Sequence, residues 1–231
     1  MPSIGNRLYV HGSSEDLDRF IAATTIIDEE GTCFSLNHLF RGPRYANEVP
    51  PAGTRYGTCA IECEHMTPVS LRLYFESVDF LGVMISQLSA MHPDLVFGFR
   101  FMNESDWPAF SGWQVLKGGE LVATEYSSDV QLSGKYLVSA EELKKYPGFD
   151  IAKKRVMHQV AAARETICYH DAVQVGLETH YREAMAALDF AESDEVEPED
   201  WWRVGNACGS AVLTAHDINL QLCIREYCTA D

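Results

Sequence analysis

The clearest pattern of apolar and polar positions along the chain lies between residues 70 and 102. Every second residue of Leu71–Phe75 is apolar, which is the period of a half-buried strand. The segment Val78–Met91 then places apolar residues on one helical stripe, with Ser77 as its expected N-cap. His92-Pro93 ends this helix, because the residue before a proline is pushed out of the α region. Alternation resumes over Leu95–Phe101, so the pattern predicts strand, helix and strand.

Shorter patterns on both sides complete a first domain. Asn6–His11 alternates and predicts a strand, and Ser13–Asp16 predicts a helix start, since hydroxyl caps and acids stabilise a first turn. We expect an irregular insertion over Asp28–Thr58 and a strand over Tyr56–His65. Trp113–Tyr126 contains adjacent glycines at its centre and predicts a hairpin. Residues 1–126 are therefore predicted to form an α+β domain with one sheet and two helices.

Residues 127–231 change to a helical period and predict a second, all-α domain. Helices are expected over Asp150–Tyr169, over Asp171–Ala191 and from Pro198 onward. In the last helix, apolar residues that include Ala211 and Leu220 cover a wide arc. Such a helix packs against several neighbours. We expect either a three-helix bundle or a homodimer seam through the C-terminal helices.

Several segments of the first domain resemble those of YubB-like proteins, a family of uncharacterised phage and plasmid proteins. The similar segments are NRLYVHG, DLDRF, FSLNHLF, YGT, LYFES, HPDLVF and SGWQVLKGGELV, and the resemblance covers residues 1–126. The resemblance implies a ferredoxin-like fold for this domain and an origin in a mobile element, and it supplies no catalytic residues. This chain departs from the family in Tyr56–His65, which has no tryptophan where family members often have a tryptophan-rich segment.

The formal net charge of −16 limits the partners that we expect. It disfavours binding to a phosphate backbone, which depends on Lys and Arg, and it favours attraction to basic surfaces. The sequence has no apolar run of membrane-spanning length and no apolar signal-peptide core at its N-terminus. Its seven cysteines have irregular spacing, which is typical of reduced thiols. We therefore expect a protein of the bacterial host's cytoplasm with no membrane partner.

Two groups of residues have the side chains of a metal site, and both are better explained without a metal. Cys59, Cys63 and His65 lie on one predicted strand face with Cys33 as a fourth ligand, but the two strand cysteines are too far apart for one ion. We expect these cysteines to be buried as small apolar residues. The helical histidines have no recognised ligand spacing; they are His158, His170, His180 and His216. The prediction is no metal, no cofactor and no catalytic residue.

Two further segments could bind a partner. The strand Phe97–Phe101 has alternating aromatic residues like those on which RNA-recognition domains stack bases. However, residues 1–126 hold 16 acidic and 8 basic side chains, which favours a core role for these phenylalanines. The second segment is an acidic run without Lys or Arg, ordinarily a solvated loop, which we predict to be the partner-binding surface. Its acids are Asp189, Glu192, Asp194, Glu195, Glu197, Glu199 and Asp200.

The sequence therefore predicts a non-catalytic protein that binds a basic, nucleic-acid-binding host protein or complex and does not contact nucleic acid directly. Given the implied mobile-element origin, we expect it to inhibit a host defence nucleoprotein complex by stoichiometric contact, specifically as an anti-CRISPR protein. Two alternatives stay open. One is a small hydrolase with a site in the 28–58 loop, and the other is an RNA-binding protein that uses Phe97–Phe101.

Overall fold

The structure is a computed structural model, and it describes residues 4–28, 31–34, 61–77, 80–103, 110–127, 160–161, 163–192 and 201–229. We number the strands and helices within these residues in chain order. The strands are β1 (Ile4–His11), β2 (Thr25–Asp28), β3 (Gly31–Phe34), β4 (Glu62–Thr67), β5 (Ser70–Ser77), β6 (Val96–Asn103), β7 (Phe110–Lys117) and β8 (Glu120–Ser127). The helices are α1 (Ser14–Thr24), α2 (Gly82–Met91), α3 (Tyr169–Gln174), α4 (Glu178–Glu192) and α5 (Trp201–Thr229).

The main sheet has six strands in the order β4-β5-β1-β6-β7-β8. β1 is antiparallel to both of its neighbours, β5 and β6, and β4 is antiparallel to β5. β5 and β6 therefore run in the same direction on either side of β1, and α2 connects them. The predicted α+β class and the predicted strand, helix and strand around α2 are confirmed. β2 and β3 form a separate two-stranded antiparallel sheet.

One face of the main sheet is the apolar core of the first half. Leu8 lies opposite Leu73 on β5 and Phe99 on β6, and all three side chains are fully buried. Helix α1 reaches this face through Phe20, whose ring centroid is 5.6 Å from that of Phe97. Helix α2 contributes further buried residues, among them Met84, Ile85 and Leu88. Both helices therefore cover the same side of the sheet.

The two helices begin differently, and only the first start agrees with the prediction. The Ser13 hydroxyl accepts a hydrogen bond from the backbone N–H of Asp16, which caps α1 as expected. The predicted cap of α2, Ser77, is instead the last residue of β5, and its hydroxyl accepts a hydrogen bond from Asn6 Nδ2 at 2.9 Å. Helix α2 begins four residues later than predicted and has no side-chain cap.

The predicted hairpin is confirmed, and it is fastened to α2. Gly118 and Gly119 form the two-residue turn between β7 and β8, with φ angles of 60° and 85° that favour glycine. The Ser86 hydroxyl donates to the Gly119 carbonyl at 2.8 Å, and the Gly119 N–H donates to the Ser89 hydroxyl at 3.1 Å. The turn is therefore held against the helix by two hydrogen bonds.

Two strand predictions need correction. The expected irregular insertion begins too early, because Gly31–Phe34 is a strand paired with Thr25–Asp28. The strand expected over Tyr56–His65 is β4, which begins at Glu62 and extends to Thr67. Residues 35–60 lie outside the described part of the chain. They include most of the 28–58 loop, in which the alternative hydrolase site was predicted.

In the second half, helix boundaries differ from those predicted. The region expected to be one helix over Asp171–Ala191 is divided between α3 and α4, with Gly176 at a φ of 73° between them. Val173, predicted to face inward, has 42% of its surface exposed, and Ala172 is buried instead. The buried face of α3 is therefore offset by one residue from the predicted face. In α4, Ala184 and Leu188 are buried as predicted.

Among the described residues of the second half, helices α4 and α5 and the segment before α3 share a cluster of buried apolar side chains. Its buried members are Val160, Ala163, Ile167, Ala184, Leu188, Ala207, Ala211 and Ala215. Helix α5 is buried over more than one face, as expected from its wide apolar arc, since five consecutive residues from Thr214 to Ile218 are buried.

The chain divides into two compact units. The first contains the described residues from 4 to 103, residues 111–126 and the helical residues 223–229. The second contains residues 110 and 127 and the described residues from 160 to 222. Helix α5 thus contributes residues to both units, and its end returns to the unit formed by the first half of the chain.

Candidate functional site

The predicted partner-binding acids begin at the end of α4. Asp189 lies in the last turn of this helix and Glu192 is its final residue. The remaining five residues, Asp194, Glu195, Glu197, Glu199 and Asp200, lie outside the described residues and immediately precede α5. Asp189 pairs with Arg164 at 2.8 Å and still has 69% of its side-chain surface exposed. The first acid of the run is therefore accessible on the surface of the second unit.

The charge at this helix end is unfavourable for the helix itself. The last turn of a helix has partial negative charge, so cations stabilise it and anions do not. The last turn of α4 has two acids and no basic residue. Arg164 offsets part of this charge from a neighbouring segment, but exposed ion pairs contribute only about 0–1 kcal/mol. Helix stability therefore does not account for these acids.

The residues considered as metal ligands do not come together in the described part of the chain. There, no group of three or more His, Cys, Asp or Glu side chains could hold a metal ion. Cys63 is exposed, so the expectation of a buried thiol is wrong for this residue. His170 and His180 are exposed, while His216 is buried on α5. Cys59 and His158 lie outside the described residues, and the side chains of Cys33 and His65 are also not described.

The phenylalanines of β6 belong to the core. Phe97, Phe99 and Phe101 are all fully buried, on the sheet face that α1 and α2 cover. The Phe101 ring lies 4.7 Å from that of Phe80, measured between centroids. Base stacking requires an accessible ring face. This burial supports the core interpretation of the strand over its use as an RNA-binding surface.

A small cavity of about 220 Å³, which the sequence analysis did not find, lies where α1 meets the end of α2. It is lined by Asp16, Arg19, Met91, His92, Pro93, Asp94 and Leu95. Hydrogen bonds from Ser13 and Arg19 lower the pKa of Asp16. Burial, and then the charge of Arg19, lower the pKa of His92. The lining has two carboxylates, Asp16 and Asp94, and one guanidinium, Arg19, which is already paired with Asp16. The described lining of the cavity therefore has no free cation that would attract an anionic ligand.

A second group that the sequence analysis missed lies on the outer face of the sheet, opposite α1 and α2. Glu64 of β4 accepts a hydrogen bond from Arg7 Nη2 at 2.9 Å and lies 3.0 Å from Arg72 Nε. Glu64 lies at a break in the pairing register, between Cys63 opposite Leu73 and His65 opposite Arg72. Sequence alternation identifies Arg7 and Arg72 as outward-facing, but only the strand order brings them together.

Comparisons of this chain with protein-family models, curated proteins and solved structures found no match. None of the described helices is both long enough and apolar enough to cross a membrane.

Proposed function

We propose that this protein is a non-catalytic binding protein that acts by stoichiometric contact with a basic, nucleic-acid-binding partner. The contact surface in this proposal is the acidic run from Asp189 to Asp200. The finer proposal rests on the resemblance of residues 1–126 to YubB-like proteins. It makes the partner a defence nucleoprotein complex of a bacterial host, specifically a CRISPR effector, and places the protein in the host cytoplasm.

The observation that supports this proposal is the pair of acids in the last turn of α4. Each costs the helix about 0.3–1 kcal/mol through the helix dipole. Acids that lower local stability but remain exposed, as Asp189 does, are suited to a contact with a basic partner. By contrast, Glu199 and Asp200 precede the first turn of α5, where acids stabilise a helix. A binding role is therefore better supported for Asp189 and Glu192 than for Glu199 and Asp200.

We also propose a ferredoxin-like assignment for residues 1–126 and a separate helical domain for residues 127–231. The element order β1-α1-β4-β5-α2-β6, together with the sheet order β4-β5-β1-β6, supports the first assignment. In this assignment β2, β3, β7 and β8 are additions to the four-stranded core.

The test compares two variants that lose the same number of charges. The first changes Glu192→Gln, Asp194→Asn and Glu195→Gln within the run. The control changes three exposed acids elsewhere, Asp18→Asn, Glu120→Gln and Glu183→Gln. Association rates with a purified CRISPR effector are measured at about 0.1 M and about 1 M salt, where the screening lengths are about 10 Å and about 3 Å.

We expect the run variant to associate several-fold more slowly than the control at low salt, because steering depends on the charges nearest the partner. The difference should vanish at high salt. Equal rates for the two variants would show that only net charge matters and would exclude the run as the contact. Absence of any complex with the parent protein would instead exclude this class of partner.

A further inference from the structure

β1 and β5, which are neighbours in the main sheet, carry tyrosine and arginine side chains on the outer face of the sheet. β1 contributes Arg7 and Tyr9, and β5 contributes Arg72 and Tyr74. The register pairs Arg7 with Tyr74 and Tyr9 with Arg72. Directly opposed residues on antiparallel strands have Cβ atoms about 4.5–5.5 Å apart. Each tyrosine therefore lies beside an arginine of the neighbouring strand, and we call these four residues the Tyr–Arg face.

Glu64 holds the two arginines of the Tyr–Arg face in position. Its carboxylate lies within 3.0 Å of both guanidinium groups. Arg7 and Arg72 retain 26% and 29% of their side-chain surface exposed. Guanidinium groups fixed in this way lose less conformational entropy when they bind a further anion.

Tyr74 is the accessible ring of the Tyr–Arg face, because Tyr9 is only 3% exposed and Tyr74 is half-buried. Burial and the neighbouring Glu76 raise the pKa of Tyr74, while Arg100 and Arg7 lower it. The phenol is therefore neutral at physiological pH. Arg100, which acts on it electrostatically, is itself buried, so only Arg7 and Arg72 are available to a ligand.

We propose that the Tyr–Arg face binds single-stranded RNA, with one base stacked on Tyr74 and an adjacent phosphate on Arg7 and Arg72. RNA-recognition domains bind RNA on a four-stranded sheet, by stacking bases on aromatic residues of the strands. Arginine forms its strongest hydrogen bonds with phosphate and carboxylate groups. An acidic protein would pair with the two arginines but would have no base to stack on the tyrosine ring. The combination of two arginines with a tyrosine therefore favours RNA.

The surroundings of the Tyr–Arg face limit this binding. Arg72 and Tyr74 have the spacing of the first basic and first aromatic positions of the RNA-recognition strand pattern, but Glu76 stands where that pattern has a second aromatic residue. One stacked base is therefore expected. The chain's net charge of −16 repels RNA at long range, although salt confines this repulsion to about 10 Å at 0.1 M. The expected affinity is low and depends strongly on salt.

The proposal is tested on the full chain with a fluorescein-labelled single-stranded uridine oligonucleotide, by fluorescence anisotropy at about 50 mM and about 200 mM salt. Tyr74→Leu should weaken binding roughly tenfold, and Tyr74→Phe should bind like the parent, since stacking requires only the ring. Glu64→Gln should strengthen binding, because it removes a negative charge that contacts both arginines. Glu120→Gln on β8 removes the same charge away from this face and should leave the affinity unchanged.

Circular dichroism shows whether each variant is folded. The proposal is overturned if the parent does not bind at about 50 mM salt, or if Tyr74→Leu binds as well as Tyr74→Phe. Tighter binding to polyglutamate than to the oligonucleotide would also overturn it and would assign the face to an acidic protein. If Glu64→Gln does not fold, the two Tyr74 variants still decide the question.

Discussion

At the scale of single residues, two histidines near one end of the sheet are packed in their neutral form. His11 ends β1, and burial lowers its pKa to about 4. His92 follows α2, and its ring lies 5.2 Å from that of Phe20 in an edge-on arrangement. Its pKa is also lowered by burial. Since burial disfavours the charged form of an imidazole, both side chains contribute to the fold only while they are uncharged.

We predict that this arrangement makes the protein less stable in mild acid. In the unfolded chain His11 binds a proton below its ordinary pKa of 6.5, whereas in the folded chain it does so only near 4. The unfolded state therefore gains protons first, and stability is lost as the pH falls through this window. The loss from His11 alone is about 2 kcal/mol between pH 7 and pH 5.

Urea unfolding at these two pH values measures this loss. His11→Gln cannot be protonated, so its stability should change much less between the two conditions. His92 adds a smaller change of the same sign in both proteins. An equally large loss of stability in His11→Gln would show that other groups cause the acid sensitivity.

At the scale of helices and strands, the apolar periodicity of the sequence predicted most elements but not which of them lie side by side in the structure. Alternation identified β5 and β6, and the adjacent glycines identified the β7–β8 turn, because these signals are local. The short strands β2 and β3 were missed, since four residues are too few to establish a period. The start of α2 was misplaced because Ser77 is an equally good partner for Asn6, a residue 71 positions away.

The Tyr–Arg face shows the same limit for a candidate site. Its residues alternate visibly in the sequence, but their pairing depends on β1 lying beside β5, and their contact with Glu64 depends on β4 lying beside β5. Neither can be read from one strand alone. The aromatic strand Phe97–Phe101 gave the stronger sequence signal, and its side chains face the covered side.

We predict that Ala211→Asp destabilises the second unit strongly. Ala211 is fully buried on α5 within the cluster that contains Leu188 and Ala215. An unpaired buried carboxylate costs several kcal/mol, which is comparable to the whole stability of a small domain. Ser210→Asp is the matched control, because Ser210 is the preceding residue and is exposed. Thermal unfolding followed by circular dichroism should show an early transition for Ala211→Asp only; equal melting of the two variants would contradict the described packing.

At the scale of the whole molecule, helix α5 contributes its last residues to the unit that contains the main sheet. Residues 223–229 belong to the first unit, together with the sheet. Within that unit the Tyr227 hydroxyl donates a hydrogen bond to the backbone carbonyl of Val122 at 3.3 Å. Val122 lies on β8, an edge strand, whose open carbonyls would otherwise be free to pair with another chain. The end of α5 therefore protects part of this edge.

The predicted domain boundary leads to a specific expectation for limited proteolysis. The change of hydrophobic period after Tyr126 predicts a first cut within about Ser127–Gly134, since exposed polar segments are preferred cleavage sites. The C-terminal fragment would still contain Cys223–Thr229, which belong to the first unit. We therefore expect two fragments by denaturing electrophoresis but one species by native size-exclusion chromatography.

A matched pair of variants tests whether the end of α5 keeps the two fragments together. Ile224→Asp places a charge at a fully buried position of the α5 end, whereas Glu226→Asp changes an exposed neighbour and keeps its charge. After cleavage, the fragments of Ile224→Asp should separate on the native column, because an unpaired buried charge opposes docking. Those of Glu226→Asp should stay together. A protease-resistant fragment that spans residues 127–134 would show that the boundary is misplaced, and separation of the parent's fragments would show that the end of α5 does not hold the cleaved chain together.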